Sequence, residues 1–240
     1  MNHFFDLPSD LQNSWFGLIG LHLREALLPV LAGLAVSLPI AQLCVRFRWL
    51  YPPVLGLTTV LYAIPSLAFF VVLIDYTGQT ELTVMIPLAV YSLVVLVPAI
   101  VDGVRSVPQE TLAAATALGL GPVRRYFQVQ LPIAVPAIIA GLRVATVSSI
   151  SLVSVGMLIG NQGALGNLLN DANLYHRPEL AVNSVLTTAV LAVLADAALV
   201  GVRLLLTPWM PRGSRRRAPE PDAGARPEPA TSPALEDAVR

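Results

Sequence analysis

The sequence predicts an all-α membrane protein of five transmembrane helices, with its N-terminus outside, its C-terminus inside and a cytoplasmic two-helix loop between helices 3 and 4. Three observations lead there. Apolar residues make up 55% of the 240 positions against 12% charged, and mean hydropathy is +0.69, far above a soluble domain. The apolar residues collect into runs of about 20, the length that crosses a ~30 Å hydrocarbon core. The 15 basic side chains, all arginine, are segregated along the chain although they balance 15 carboxylates to zero net charge.

Taken in order, residues 1–20 hold no Arg or Lys and so lack the basic region of a cleaved signal peptide. Asp6, Asp10, Trp15 and Phe16 predict an external, interfacial lead-in. The membrane region, 21–209, opens with a run from about His22 to Val45 that stops at Arg46 and Arg48. A second run, Pro53 to Ile74, carries Pro65 in its middle and is expected to kink there. A third covers Leu82 to Val101. From Asp102 to Pro132 the apolar character breaks, and Arg105, Glu110, Arg124 and Arg125 appear among small residues. The fourth run is Ile133 to Ile159, followed by a Gly/Asn-rich loop; the fifth is Leu180 to Leu206. Residues 211–240 switch to Arg, Pro, Ala, Glu and Asp, too polar to bury a core, and read as a disordered cytoplasmic tail.

Cytoplasmic loops retain Arg and Lys while exported ones lose them. Placing Arg46 and Arg48 inside also puts Arg105, Arg124, Arg125, Arg203 and the tail arginines inside, leaving Arg24 and Arg177 outside. Arg215, Arg216 and Arg217 serve as a positive-inside anchor or touch anionic lipid headgroups. Zero net charge excludes a nucleic-acid binder, which needs a clustered positive surplus. Cys44, alone of its kind, excludes a disulfide framework and Cys-rich metal sites, and reads as a small apolar residue. No metal site is expected. A chain without lysine has no P-loop, and no protease motif is present. His3, His22 and His176 fall at exterior or terminal positions. Ser148, Ser149, Ser151 and Ser154 are expected to pack or hydrogen-bond between helices.

The break, SVPQETLAAATALGLGPVRRYFQVQLPIAVPAIIAGLR, is the most informative stretch. Ser106 and Gln109 have capping-box spacing and Pro108 suits a first turn, so a helix is expected from near Val107 to Leu118. Gly119 is placed to end it in a left-handed cap. Gly121 and Pro122 restart a second short helix bearing Arg124, Arg125, Tyr126 and Phe127. Small residues on the first helix allow close approach to another protein, and the elbow makes the pair a docking element.

The spacing Ala113, Ala114, Ala115, then Gly119, Val129, Leu131 and Pro132 resembles the cytoplasmic loop of the permeases of binding-protein-dependent ABC importers. YAIPSLAFF, VDGVRSVP, AGLRVATVSSIS, IGNQGALG and LAVLADAALVGVRLLLTPW look like the glycine betaine/carnitine/choline subgroup, over nearly all of residues 20–209. The resemblance implies that the loop seats on a separate ABC ATPase subunit, which alone carries ATP and Mg. It also implies a second permease chain, identical or paralogous, and an extracytoplasmic substrate-binding protein. The chain itself is then a non-catalytic subunit of the bacterial inner membrane. The family's Glu is Ala113 here, so either Glu110 substitutes for it or coupling rests on shape. The alternatives are an ABC permease for another small solute, such as an amino acid, or a passive channel.

Inside the spans, Arg143 and Asp196 are ionisable and therefore functional candidates. Each lies ~15 Å from the cytoplasmic end of its helix, at 1.5 Å per residue. Either they pair, tying spans four and five, or Arg143 snorkels while Asp196 faces a polar cavity. At the Pro65 break, Tyr62, Ser66 and Phe69, joined by Tyr91, form either a cation–π lining for a quaternary ammonium substrate or ordinary packing.

Overall fold

The computed structural model describes residues 15–159 and 164–209, and residues up to Thr207 form one compact unit. The acidic part of the lead-in, the centre of the IGNQGALG loop and the 211–240 tail lie outside the described residues.

Helix α1, Trp15–Arg46, begins well before the expected run, so Trp15 and Phe16 belong to its exposed first turn. A 3-10 turn, Arg48–Leu50, leads into α2, Tyr51–Ala63, and α3, Ser66–Thr77. The expected kink is larger than a kink: the two helices meet at 89°. Pro65 supplies no N–H and drives the residue before it out of the helical region. Ile64 accordingly has ψ 122° and Pro65 ψ 129°.

Helix α4, Glu81–Arg105, runs alongside the bent pair and holds both of its ends. The hydroxyl of Tyr51 reaches Asp102 Oδ1 at 3.4 Å, and the Arg105 guanidinium lies 4.6 Å from the centre of the Tyr51 ring. At the other end Thr77 and Thr83 share a hydrogen bond of 2.6 Å. Asp102 and Thr83 stand about 28 Å apart along α4, close to the thickness of a bilayer core. The start of α2 and the end of α3 are thus held at opposite ends of a spanning helix. Arg105 also donates to the Cys44 carbonyl at 3.1 Å, closing the end of α1.

Two short helices follow, α5 (Gln109–Ala117) and α6 (Pro122–Arg125). A π-helical turn, Tyr126–Gln130, joins α6 without interruption to α7, Leu131–Val155. A 3-10 turn (Gly156–Ile159), the outer helix α8 (Asn167–Leu174) and α9 (Pro178–Leu206) complete the described chain. Helices α1, α4 and α7, together with α9, are long and apolar enough to cross a membrane individually.

The core is the α1–α4–α7 trio. Between helices in lipid, burial of apolar surface gives little net drive, so close packing at small residues holds them. Gly33 meets Ser92, Gly103 meets Ala134 and Ala137, and Gly141 meets Ala99. A Cβ on Gly141 would stand 2.6 Å from that of Ala99, whereas one on Gly20 would meet nothing within 4 Å. Gly141→Ala is therefore expected to lower thermal stability in detergent by about 1–3 kcal/mol through overpacking, and Gly20→Ala to leave it unchanged. Equal melting of the two variants would contradict this account of the trio.

His22 sits two turns into α1. It is fully buried, its Nε2 hydrogen-bonded to the Ile150 carbonyl at 2.9 Å, while Ser149 donates to the Ala26 carbonyl at 2.8 Å. Side chains thus satisfy backbone across the α1–α7 seam in both directions. Beside them, Glu25 is fully buried and Arg24 pairs with Glu81.

Candidate functional site

The docking loop is built by local backbone rules, though not all of those expected. The capping box does not form: Ser106 Oγ donates to the Gly103 carbonyl at 2.8 Å, serving the end of α4. Val107 is buried, Pro108 takes the N-cap position without a side-chain bond, and α5 begins at Gln109. At its end Gly119 adopts φ +79°. Leu120 N–H bonds the Ala115 carbonyl at 3.1 Å and Gly119 N–H the Thr116 carbonyl at 2.9 Å, a complete Schellman motif. Arg125 Nη1 then donates to Thr116 Oγ1 at 2.8 Å, bracing α6 against α5 across the elbow.

This geometry sorts the candidate residues. Ala115 is buried, while Glu110, Ala113 and Ala114 are exposed. Glu110 and Ala113 are three apart, hence neighbours on one helix face. Arg124 is exposed; Leu131 and Pro132 are half-buried at the start of α7. Leu118 and Val123 add large apolar surface to the elbow, with Leu118 82% exposed. Together these residues make an apolar, small-residue surface at the arginine-rich end of the bundle.

The α2–α3 break opens a cavity of about 610 Å³. Tyr62, Pro65 and Ser66 line it from the break and Tyr91 from α4, and Ser148 and Ser151 line it from α7. Tyr91 donates its hydroxyl to the Ile64 carbonyl at 2.8 Å, satisfying a backbone group that the break leaves free. Phe69 does not line the cavity; its ring stands edge-on to Tyr91, with centroids 6.0 Å apart at 90°. The bend, rather than helical spacing, brings these side chains together, since Tyr62 sits on α2 and Ser66 and Phe69 on α3. The lining contains no acid, no base and no metal-ligating cluster. Among the described residues, Ser149 is the one of the four expected to pack or bond between helices that hydrogen-bonds across a helix seam. Ser148 and Ser151 are exposed and line the cavity, as Ser149 also does. The register of Ser148 on α7, two turns beyond the Gly141 contact, was the available signal.

Arg143 and Asp196 are brought together. Arg143 Nε lies 2.6 Å from Asp196 Oδ1 and its Nη2 2.7 Å from Oδ2, a two-pronged pair joining the middle of α7 to α9. Asp196 therefore faces Arg143 and not a polar cavity, and neither residue lines the α2–α3 cavity.

A helical bundle with a broken span over a hydroxyl- and aromatic-lined cavity, and a capped docking elbow at one end, defines the membrane subunit of a transporter. Residues 31–211 match the family described as the binding-protein-dependent transport system inner membrane component. The chain belongs to that family, as an inner-membrane permease. Among relatives, it is 30% identical over 188 residues to the glycine betaine/carnitine/choline transport system permease protein OpuCD of Bacillus subtilis, covering 78% of this chain and 82% of the relative. It is 30% identical over 192 residues to the osmoprotectant import permease protein OsmW of Salmonella typhimurium, covering 78% and 89%. In fold it is similar to a chain of the inward-facing MetNI methionine ABC transporter, with TM-score 0.71 at 16% identity over 84% of this chain and 100% of that one.

Proposed function

We propose that this permease carries quaternary-ammonium osmoprotectants, such as glycine betaine, choline, carnitine and proline-like solutes, in an ATP-driven importer. The cavity chemistry carries the reading. A quaternary ammonium has no N–H to donate, so aromatic faces hold it by cation–π attraction, here Tyr62 and Tyr91 with Phe69 behind. Hydroxyls of Ser66, Ser148 and Ser151 offer donors to a carboxylate or hydroxyl at the other end. The absence of a fixed charge in the lining keeps the site weak enough to release its cargo. The relatives' names, which specify choline, carnitine and glycine betaine, favour the same class.

The distribution of arginines supports the orientation. The N-terminus lies outside and the arginine-rich end faces the cytoplasm, where α5 and α6 seat on an ATPase that performs all ATP chemistry. A second permease chain closes the pathway, and a loaded binding protein docks outside. Nucleotide-driven closure of the ATPase pair draws the two elbows together and opens the cavity outward.

Radiolabelled uptake in a strain lacking its own osmoprotectant importers, with the ATPase and binding-protein partners supplied, tests the reading. Betaine-class solutes are expected to accumulate and methionine not. Tyr62→Ala is expected to raise the half-saturating concentration about 3- to 30-fold, the range of one cation–π contact, and Tyr62→Phe to change it little. Uptake of amino acids in place of betaines would overturn the assignment, and uptake without any ATPase would favour a passive channel.

A further inference from the structure

A second cavity, of about 860 Å³, lies at the arginine-rich end between the last two turns of α1 and the α6–π-turn segment. Arg46 and Arg125 both line it, with Gln42 between apolar walls that include Leu38, Phe127 and Leu131. Among the described residues, neither guanidinium has a carboxylate within ion-pair distance; the three ion pairs all involve other arginines. Two polar atoms of this wall, Gln42 Oε1 and Arg125 Nε, are buried without a hydrogen-bond partner, one an acceptor and the other a donor.

We propose that this cavity holds an anionic phospholipid with a hydroxylated headgroup, of the phosphatidylglycerol type. Its phosphate lies between Arg46 and Arg125, and a headgroup hydroxyl donates to Gln42. Its acyl chain runs over Leu38, Phe127 and Leu131. The depth fits: from Leu38 to Arg46 is about 12 Å along α1, the distance from the acyl region to the headgroups. Charge fits as well, because two uncompensated cations beside apolar walls favour an anion that also carries hydrocarbon. A free phosphate would leave the apolar walls unused. Arg125 is also the residue that bonds Thr116 across the elbow. A phosphate on the same guanidinium fixes its orientation, and so steadies the docking helix. That consequence rests on the transporter reading, whereas lipid binding does not.

The test uses the full-length protein in nanodiscs of phosphatidylcholine with graded phosphatidylglycerol, with co-released lipid counted by native mass spectrometry. The wild type is expected to retain phosphatidylglycerol in preference to phosphatidylcholine. Arg46→Gln and Arg125→Gln should each weaken retention about five- to tenfold, the loss of one guanidinium–phosphate contact. Arg124→Gln removes the same charge beside the cavity but not from its wall, and should retain the lipid. Excess inorganic phosphate should not displace it. Equal loss in Arg124→Gln, displacement by phosphate, or no preference for the anionic lipid would each overturn the site. If a cavity variant fails to fold, the wild-type preference and the phosphate competition still decide. Both leaflets of the disc are equivalent, so failure here is separable from an error in membrane orientation or substrate.

Discussion

Replacing Arg143 by Ala, or Asp196 by Ala, is expected to remove most of the protein from the membrane, a several-fold or greater fall in accumulated chain together with loss of uptake. The reason lies in how little else holds α9. Along its 29 residues only Ser184 is buried, and its large apolar side chains, from Val182 to Leu206, are mostly exposed. In lipid, exposed leucine and valine give no preference for the bundle over the bilayer. The two-pronged pair at 2.6 and 2.7 Å is the strongest directional contact between α7 and α9. Removing one partner strands the other charge near mid-span, where the bilayer penalises it. Arg143→Lys should rescue only in part, because an ammonium does not reproduce the fork that meets both carboxylate oxygens. The decisive arm is the exchange Arg143→Asp with Asp196→Arg: accumulation and uptake should recover beyond either single change. Wild-type levels in both single alanine variants would show that α9 is held by other contacts.

The pair was legible in the sequence because two charges at matching depth in apolar runs have few ways to be satisfied. Gly119 was legible for a related reason: a glycine closing an alanine-rich helix ahead of Gly121 and Pro122 answers to local backbone energetics alone. Ser106 carries the same kind of local signal, yet no capping box forms there. It sits between two helices, and the free Gly103 carbonyl at the end of α4 competes for its hydroxyl. The serines of α7 and His22 depended on which face of a uniformly apolar helix turns inward. No periodicity reports that in a span whose outer face is as apolar as its inner one. The 89° bend was only half visible. Pro65 announced a break, but not the contacts that accompany its angle: Tyr91 bonds Ile64 at the bend, and Thr77 bonds Thr83 at the far end.

Gly119→Val is expected to weaken coupled transport about 5- to 30-fold while leaving a folded, membrane-inserted chain. A Cβ at this position would meet no neighbouring atom within 4 Å, so space is not what glycine supplies here. Its cost is conformational: φ +79° is unstrained for glycine but costs a β-branched residue about 1–2 kcal/mol or more. If the residue leaves that region, the bonds from Leu120 to Ala115 and from Gly119 to Thr116 break together, and the Arg125–Thr116 brace loses its geometry. A penalty of that size reduces the population with a correctly set elbow about 5- to 30-fold, and the apparent affinity for the ATPase falls by the same factor. Substrate-stimulated ATP hydrolysis should fall in parallel with uptake, while melting of the isolated permease stays near wild type. Gly119→Asn supplies the internal check, since Asn tolerates left-handed backbone and should recover most of the activity. If Gly119→Val couples as well as the wild type, the elbow does not transmit closure of the ATPase. In that case the exposed face of α5, with Glu110 beside Ala113 and Ala114, would have to dock without a fixed angle to α6.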